Sequence, residues 1–514
     1  MKTARFLRVP KPPLQFVYSV LGGMIMLLLT AAAVPDLNQF AARWLTGTGH
    51  TFADERHDLG RDEQSRYRGT GTCITCDVDD DPADELVLYS RNRLLAYDHQ
   101  GTWLSVIWQA NPPAHVLAGA TGAPAAATHA DAAIATGPDL AGDGVADVLV
   151  TLRSCDGEAW WLLICEGRTG DWIAAHELPT GADLNGDGRW DGTYRSIGHV
   201  AAGVAGENPA AILARQVEYD RHGRSVMAVD LVTGQYLWAR TLACNPCVHE
   251  SRCVDLDGDG LVEVVVAANA PGNLASHGET VDGVTDDQAR LVVLDAHGKT
   301  IWSAEAAPRG PAGLDVAIAD LDADGTSEIV TSSCGNREGF RNRLCVWSAT
   351  GVLHAESMTE RKTSAMSALS GTSREPGRVV SLRNRESLIA YAWRGTRLEK
   401  VAERPVGDVG LLTDALQPGA DGSVIAWTTL DRTTLLDREL HPVLDEPAER
   451  SALTEVGTWD TGDAHVLLLS DGGKRWVQPI RPAELDGKVF VSTAALLALG
   501  GAGVWVVRRR PRGD

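Results

Sequence analysis

An all-β propeller of seven or eight blades, flanked by an N-terminal and a C-terminal transmembrane helix, is the fold class this sequence predicts. Three observations lead to it. An acidic turn running into an apolar β stretch recurs at Asp77, Asp139, Asp255 and Asp320. Between these turns a second phrase recurs, made of a strand, a turn and a tryptophan. Short Val/Ile/Leu runs are punctuated by turn residues, with 53 Gly and 23 Pro in 514 residues and no long 3.6-residue periodicity.

From the N terminus, residues 1–35 hold a basic leader (Lys2, Arg5, Arg8, Lys11) and the uncharged apolar run Phe16–Val34, long enough to cross a bilayer as a helix. The triplet Ala31, Ala32, Ala33 resembles a cleavage site, but the run exceeds the roughly 7–15 residues of a signal-peptide core, which favours an uncleaved anchor. Residues 36–70 are polar and without repeat, a stalk that could also supply a closing strand. The repeats fill residues 71–480. In 481–514 a second apolar run, Val489–Val507, is followed by Arg508, Arg509, Arg510 and Arg512, a stop-transfer pattern in preference to a buried terminal helix. Both basic ends then face the cytoplasm, and the propeller lies on the extracytoplasmic (periplasmic or extracellular) side of the cell membrane.

The formal net charge is −21, and with basic ends the body between them is more acidic still. Such a field repels phosphate backbones, so nucleic acid is not an expected partner. Clustered carboxylates suit divalent cations instead.

The repeats set the organisation. Tryptophans end the second phrase at Trp108, Trp238 and Trp302, with weaker copies near Trp172, Trp347 and Asp437. Its turns fall near Asp98, Glu166, Asp230, Asp295, Ser348, Arg394 and Asp437, a spacing of roughly 40–70 residues, the size of a four-stranded blade. That counts seven units; Asp460 to Trp476 is the candidate eighth. Trp outnumbers Phe by 15 to 6, which predicts a large flat side chain packed between neighbouring blades.

In the turn DLDGDGLVE the acids occupy positions 1, 3, 5 and 9, with Gly at 6 for the sharp bend. Alternating carboxylates on a tight turn converge on one centre, and the carbonyl at position 7 adds an oxygen, the hard donor set calcium requires. One loop supplies Asp255, Asp257, Asp259, the Leu261 carbonyl and Glu263. A second supplies Asp320, Asp322, Asp324, the Thr326 carbonyl and Glu328. Asp77, Asp79, Asp81 and Glu85 repeat the spacing with Pro82 in place of Gly. Asp139, Asp143 and Asp147 keep three acids, but Ala141 removes one, so this site is expected to be weaker. Asp183, Asn185, Asp187 and Asp191 make a fifth loop that no apolar strand follows. Asp and Gly are also ordinary turn residues, so solvated turns are the alternative for any single loop; five copies favour metal.

These acidic loops and the strands after them resemble the FG-GAP or VCBS repeats of integrin-α-like propellers, clearly over residues 71–350 and faintly to about 480. The resemblance implies that each acidic turn joins two adjacent strands of a blade and holds Ca2+ on one face of the disc. Ala228, Asp230, Thr233, Gly234 and Trp238 also match the AxDxxTGxxxW docking repeat of pyrroloquinoline-quinone dehydrogenases, which implies locking between blades.

Nine cysteines fit an oxidising compartment. Two hairpin disulfides are expected, Cys155 to Cys165 and Cys334 to Cys345. Cys73, Cys76, Cys244, Cys247 and Cys253 leave an odd number, so one is free or the set binds metal. No Gly-rich phosphate loop, GxSxG elbow or HExxH helix occurs, and no His or Lys cluster marks a catalytic cleft. The expected function is a non-catalytic, membrane-anchored, calcium-binding module with a protein- or glycan-binding surface. The alternative is an exported propeller enzyme, a polysaccharide lyase or quinoprotein dehydrogenase.

Overall fold

A computed structural model describes the chain between residues 50 and 482, less 53–56, 62–72, 119–131, 179–196, 216–223, 407–410, 413–424, 448–457 and shorter intervals. Both apolar runs, Phe16–Val34 and Val489–Val507, lie outside the described residues, as does most of the 36–70 stalk. Among the described residues no helix is long and apolar enough to cross a membrane. The chain divides into two compact units, residues 53–479 and residues 1–52 with 480–514.

The larger unit is a succession of antiparallel sheets, most of them four-stranded meanders in which each strand pairs with the next in sequence. The first comprises Cys73–Cys76, Glu85–Ser90, Arg93–Gln100 and Trp103–Ala110; the second Ala132–Thr136, Val148–Arg153, Trp160–Cys165 and Trp172–Leu178. The third comprises Ile197–Ala205, Asn208–Arg215, Ser225–Asp230 and Tyr236–Thr241. The fourth begins with two short pieces, Asn245–Pro246 and Arg252–Val254, and continues through Glu263–Asn269, Arg290–Leu294 and Thr300–Glu305. The fifth runs Ala312–Ala319, Glu328–Gly335, Asn342–Trp347 and Leu353–Thr359, and two further meanders follow to Pro447. In the last sheet His57–Arg61 pairs with the C-terminal strand Lys474–Pro482, with Asp58 opposite Trp476. The polar segment thus does supply a strand.

Side-chain alternation explains how the sheets stack. In the second sheet Ile134, Val148, Val150 and Leu163 pack toward the first sheet, with Val87, Leu94 and Trp108. Their sequence neighbours Ala135, Leu149, Leu162 and Ile164 pack toward Leu213, Met227 and Val229 of the third. Successive side chains of a strand point to opposite faces, so strands covered on both sides read as unbroken apolar runs. The same two-sided packing continues from the third sheet to the fourth, the fourth to the fifth, and onward. Each fully buried Val, Leu or Ile contributes about 1.5–3 kcal/mol. First strands of consecutive sheets also lie side by side. Repeated meanders stacked face to face, inner strand beside inner strand, are the arrangement of propeller blades.

The tryptophan phrase locks these seams. Trp108, Trp238 and Trp302, each in the fourth strand of a sheet, donate their indole N–H to the carbonyls of Gly167, Ala296 and Ala349 in the next sheet, at 2.6, 2.9 and 2.8 Å. At the second seam His176 takes the position, its Nε2 2.9 Å from the Leu231 carbonyl oxygen.

The expected Cys334–Cys345 disulfide does not form. Cys345 stands opposite Thr331, and Cys334 is three residues further along that strand. A disulfide needs Cα atoms within about 7 Å, which this register denies. Cys155, the expected partner of Cys165, lies outside the described residues; Cys165 itself stands opposite Val148. Burial pushes the Cys345 thiol up to about 11 and the Cys76, Cys244 and Cys253 thiols up to about 12, so they pack as protonated apolar groups.

Candidate metal centres

Four acidic loops occupy one place in the fold, the connection between the first and second strands of the first, second, fourth and fifth sheets. A buried acid opens the second strand in three of them, Glu85, Glu263 and Glu328, and Asp147 immediately precedes it in the other. That carboxylate accepts the backbone N–H of the residue after the leading Asp. The donors are Val78, Leu140, Leu256 and Leu321, at 2.8, 2.7, 2.8 and 2.8 Å. Val78, Leu256 and Leu321 are themselves buried. Each loop is therefore pinned from below by an apolar side chain and by the acid at its end.

The leading Asp organises the turn above. Asp77 accepts the N–H of Asp80 at 2.7 Å, Asp139 that of Gly142 at 2.6 Å, and Asp255 that of Gly258 at 2.7 Å. Asp320 accepts from Asp324 at 3.2 Å and Gly325 at 2.9 Å. Position 4 is left-handed in all four: Asp80 at φ 72, Gly142 at 76, Gly258 at 78 and Ala323 at 60. The sequence pattern had pointed only to the Gly at position 6, which is indeed left-handed at Gly144 (φ 89) and Gly325 (φ 91).

In three of these loops the carboxylates converge. Asp77, Asp79 and Glu85 bring one oxygen each within 4.8 Å of one another, and so do Asp255, Asp257 and Glu263, and Asp320, Asp322 and Glu328. All-oxygen, all-anionic donors fit a hard divalent cation. Crowding has a measurable sign: burial, and then the charges of Asp322, Asp324 and Asp320, push the Glu328 carboxyl up to about 7. Burial and Asp324 likewise raise Asp322. Asp324 stands outside the triad, its Oδ1 accepting the Thr326 N–H at 2.7 Å. Leu261 lies on its loop, half exposed to solvent.

The loop at Asp139 differs. Asp139, Asp143 and Asp147 do not gather into such a triad among the described residues. Asp147, one methylene shorter than the Glu of the other loops, is tied to Leu140, Ala141 and Gly167 amides. Asp143 pairs instead with Arg168, whose Nε lies 3.1 Å from its carboxylate. The same guanidinium reaches to 3.6 Å of Asp80 in the first sheet's loop. Nothing in the spacing of the acids announced Arg168, which arrives from a turn 25 residues downstream. Asp81, Asp259 and the whole loop of Asp183, Asn185, Asp187 and Asp191 lie outside the described residues.

No cysteine joins a metal-binding group among the described residues, so the alternative of a thiolate site finds no triad there.

No protein-family model and no curated protein matches the chain. Among solved structures, it is similar to a europium-containing methanol dehydrogenase at 12% identity and TM-score 0.45, over 81% of this chain and 87% of that one. It is also similar to BBS1N, solved in complex with ARL6DN and soaked with lead, at 11% identity and TM-score 0.41, over 68% of this chain and 92% of that one.

Proposed function

We propose that the chain is a calcium-binding β-propeller of seven or eight blades, tethered to a membrane by its apolar ends, that presents a protein- or glycan-binding surface outside the cytoplasm. The observation that carries this reading is the recurrence, at one place in three sheets, of three carboxylates within 4.8 Å, each set resting on a buried Glu. Asp77, Asp79 and Glu85, with the two equivalent sets, would hold the ions; bound calcium neutralises like charges that otherwise repel and so stiffens the turns. Rigid turns at one edge of a stacked scaffold give a defined surface for a partner.

The test is elemental analysis of the purified full chain, with thermal melts in calcium and in chelator. Two or more tightly held ions and a lower melting temperature in chelator are expected. An ion at a hundredfold excess over its Kd stabilises by about 2.7 kcal/mol per site. Asp257→Ala should lower the melt in calcium by more than it does in chelator. No calcium and no chelator effect would overturn the metal reading; a quinone absorbance in the purified protein would favour the enzyme alternative.

A further inference from the structure

The seam between the third and fourth sheets opens into a cleft of about 220 Å³, away from the acidic loops. Strand alternation decides what faces it. Trp238 points at the fourth sheet, where its N–H meets Ala296, so Arg240, two residues on, points the same way. Val292 and Leu294 pack against the third sheet's Val226 and Ala228, so Arg290, two residues before Val292, faces back toward Arg240. Both arginines line the cleft, with Thr300 and Ser303 beside them and Leu242, Val281 and Val284 among its apolar walls.

Neither guanidinium is fully used. Arg290 Nε donates to Ser303 Oγ at 3.1 Å, and Glu305 stands 3.5 Å from its Nη1. Arg240 holds Asp282, whose side chain is 62% exposed, while its own Nε is buried and lacks an acceptor. Asp282 sits at the tip of a tight turn closed by reciprocal Val281–Val284 backbone bonds. That loop is anchored by the buried Arg224–Asp286 pair, 2.9 Å apart. The next seam is built otherwise. Ala304 takes the place of Arg240, and Arg343, the counterpart of Arg290, is spent on Glu356 and the Glu305 carbonyl, both at 2.8 Å.

We infer that this cleft binds a small organic carboxylate. Two arginines lining one cleft, one of them with an unsatisfied buried N–H, offer the planar cationic donors that a carboxylate takes. The apolar walls take a compact hydrocarbon body, in a space of roughly seven waters. Asp282 is a placeholder: an exposed ion pair is weak and gives way to a carboxylate held by both arginines.

Calorimetric titration of the full chain with benzoate tests the inference. One saturable site per chain is expected, with Arg240→Gln and Arg290→Gln each weakening it by roughly tenfold or more and Asp282→Asn tightening it. Ser303→Tyr, at an exposed strand position, fills the cleft with both arginines kept, at the loss of the Ser303 bond to Arg290 Nε, and should also block binding, so a misfolded arginine variant would not decide the matter. Benzyl alcohol should not bind. No saturable uptake, uptake indifferent to Ser303→Tyr, or sulfate binding as tightly as benzoate would each overturn it.

Discussion

The indole of Trp238 lies against Gly298 so closely that a Cβ on the glycine would fall 2.5 Å from the ring. Gly298 is also left-handed, at φ 75. The glycine thus serves twice, once for the turn and once for the approach of a neighbouring sheet. The arrangement recurs with Trp108 over Gly170, Trp302 over Gly351, and His176 over Gly234. It explains why a glycine and an aromatic are spaced as they are in the second phrase: each turn receives the aromatic of the sheet before it.

Gly298→Ala is therefore expected to cost about 2–4 kcal/mol, combining a left-handed Cβ with overpacking. Gly395 is the control: its φ is 72, yet a Cβ there meets nothing within 4 Å. Gly395→Ala should cost only about 1–2 kcal/mol. Urea denaturation of both variants checks the difference, and equal losses would remove the docking role.

The raised Glu328 carboxyl gives a pH signature. Without divalent cation the folded chain keeps the Glu328 proton up to about 7, while the unfolded chain releases it near the ordinary 4.5. Between these values the folded state binds more protons, so its stability falls as pH rises from about 4.5 to about 7. Calcium favours the ionised form and should flatten that slope. Denaturation midpoints across this range, with chelator and with calcium, make the comparison; Glu328→Gln should reduce the slope in chelator, the raised Asp322 carboxyl leaving a remainder.

Ala323 stands at φ 60 where the equivalent loops place Gly142 and Gly258. A non-glycine residue there carries about 1–2 kcal/mol of strain, partly offset by the freedom glycine gains in the unfolded chain. Ala323→Gly should therefore raise stability by about 1 kcal/mol, read from urea midpoints. A loss would show that the Ala323 methyl has a packing role.

The sequence revealed most about features that repeat. A blade's fourth-strand Trp and the acidic turn between its first two strands recur because each sheet solves the same packing problem, so spacing alone found Trp108, Trp238 and Trp302 as well as Asp255, Asp257 and Glu263. Relationships between non-neighbouring segments were invisible to spacing. Cys334 and Cys345 look like hairpin partners in a linear reading, but antiparallel register sets Cys345 opposite Thr331. His176 performs a tryptophan's task without resembling one. The left-handed position 4 escaped notice because Asp80 and Ala323 occupy it without being glycine.

Arg168 shows how one loop departs from the others. Ala141 lacks the carboxylate that Asp79, Asp257 and Asp322 supply at the same position, and the guanidinium 3.1 Å from Asp143, which also reaches Asp80 of the first sheet's loop, brings positive charge to this one. Its side chain is 40% exposed, so removing it should cost under about 1 kcal/mol. Restoring the donor set while removing the internal cation, as Ala141→Asp with Arg168→Gln, should raise the calcium stoichiometry by one over the unaltered chain. Arg168→Gln alone should not, because the loop still lacks its third converging carboxylate. Equilibrium dialysis of the three proteins side by side reads this directly. If the double variant holds no additional ion, the arginine is a bystander and the shorter Asp147, drawn onto three backbone amides, is what disables the loop.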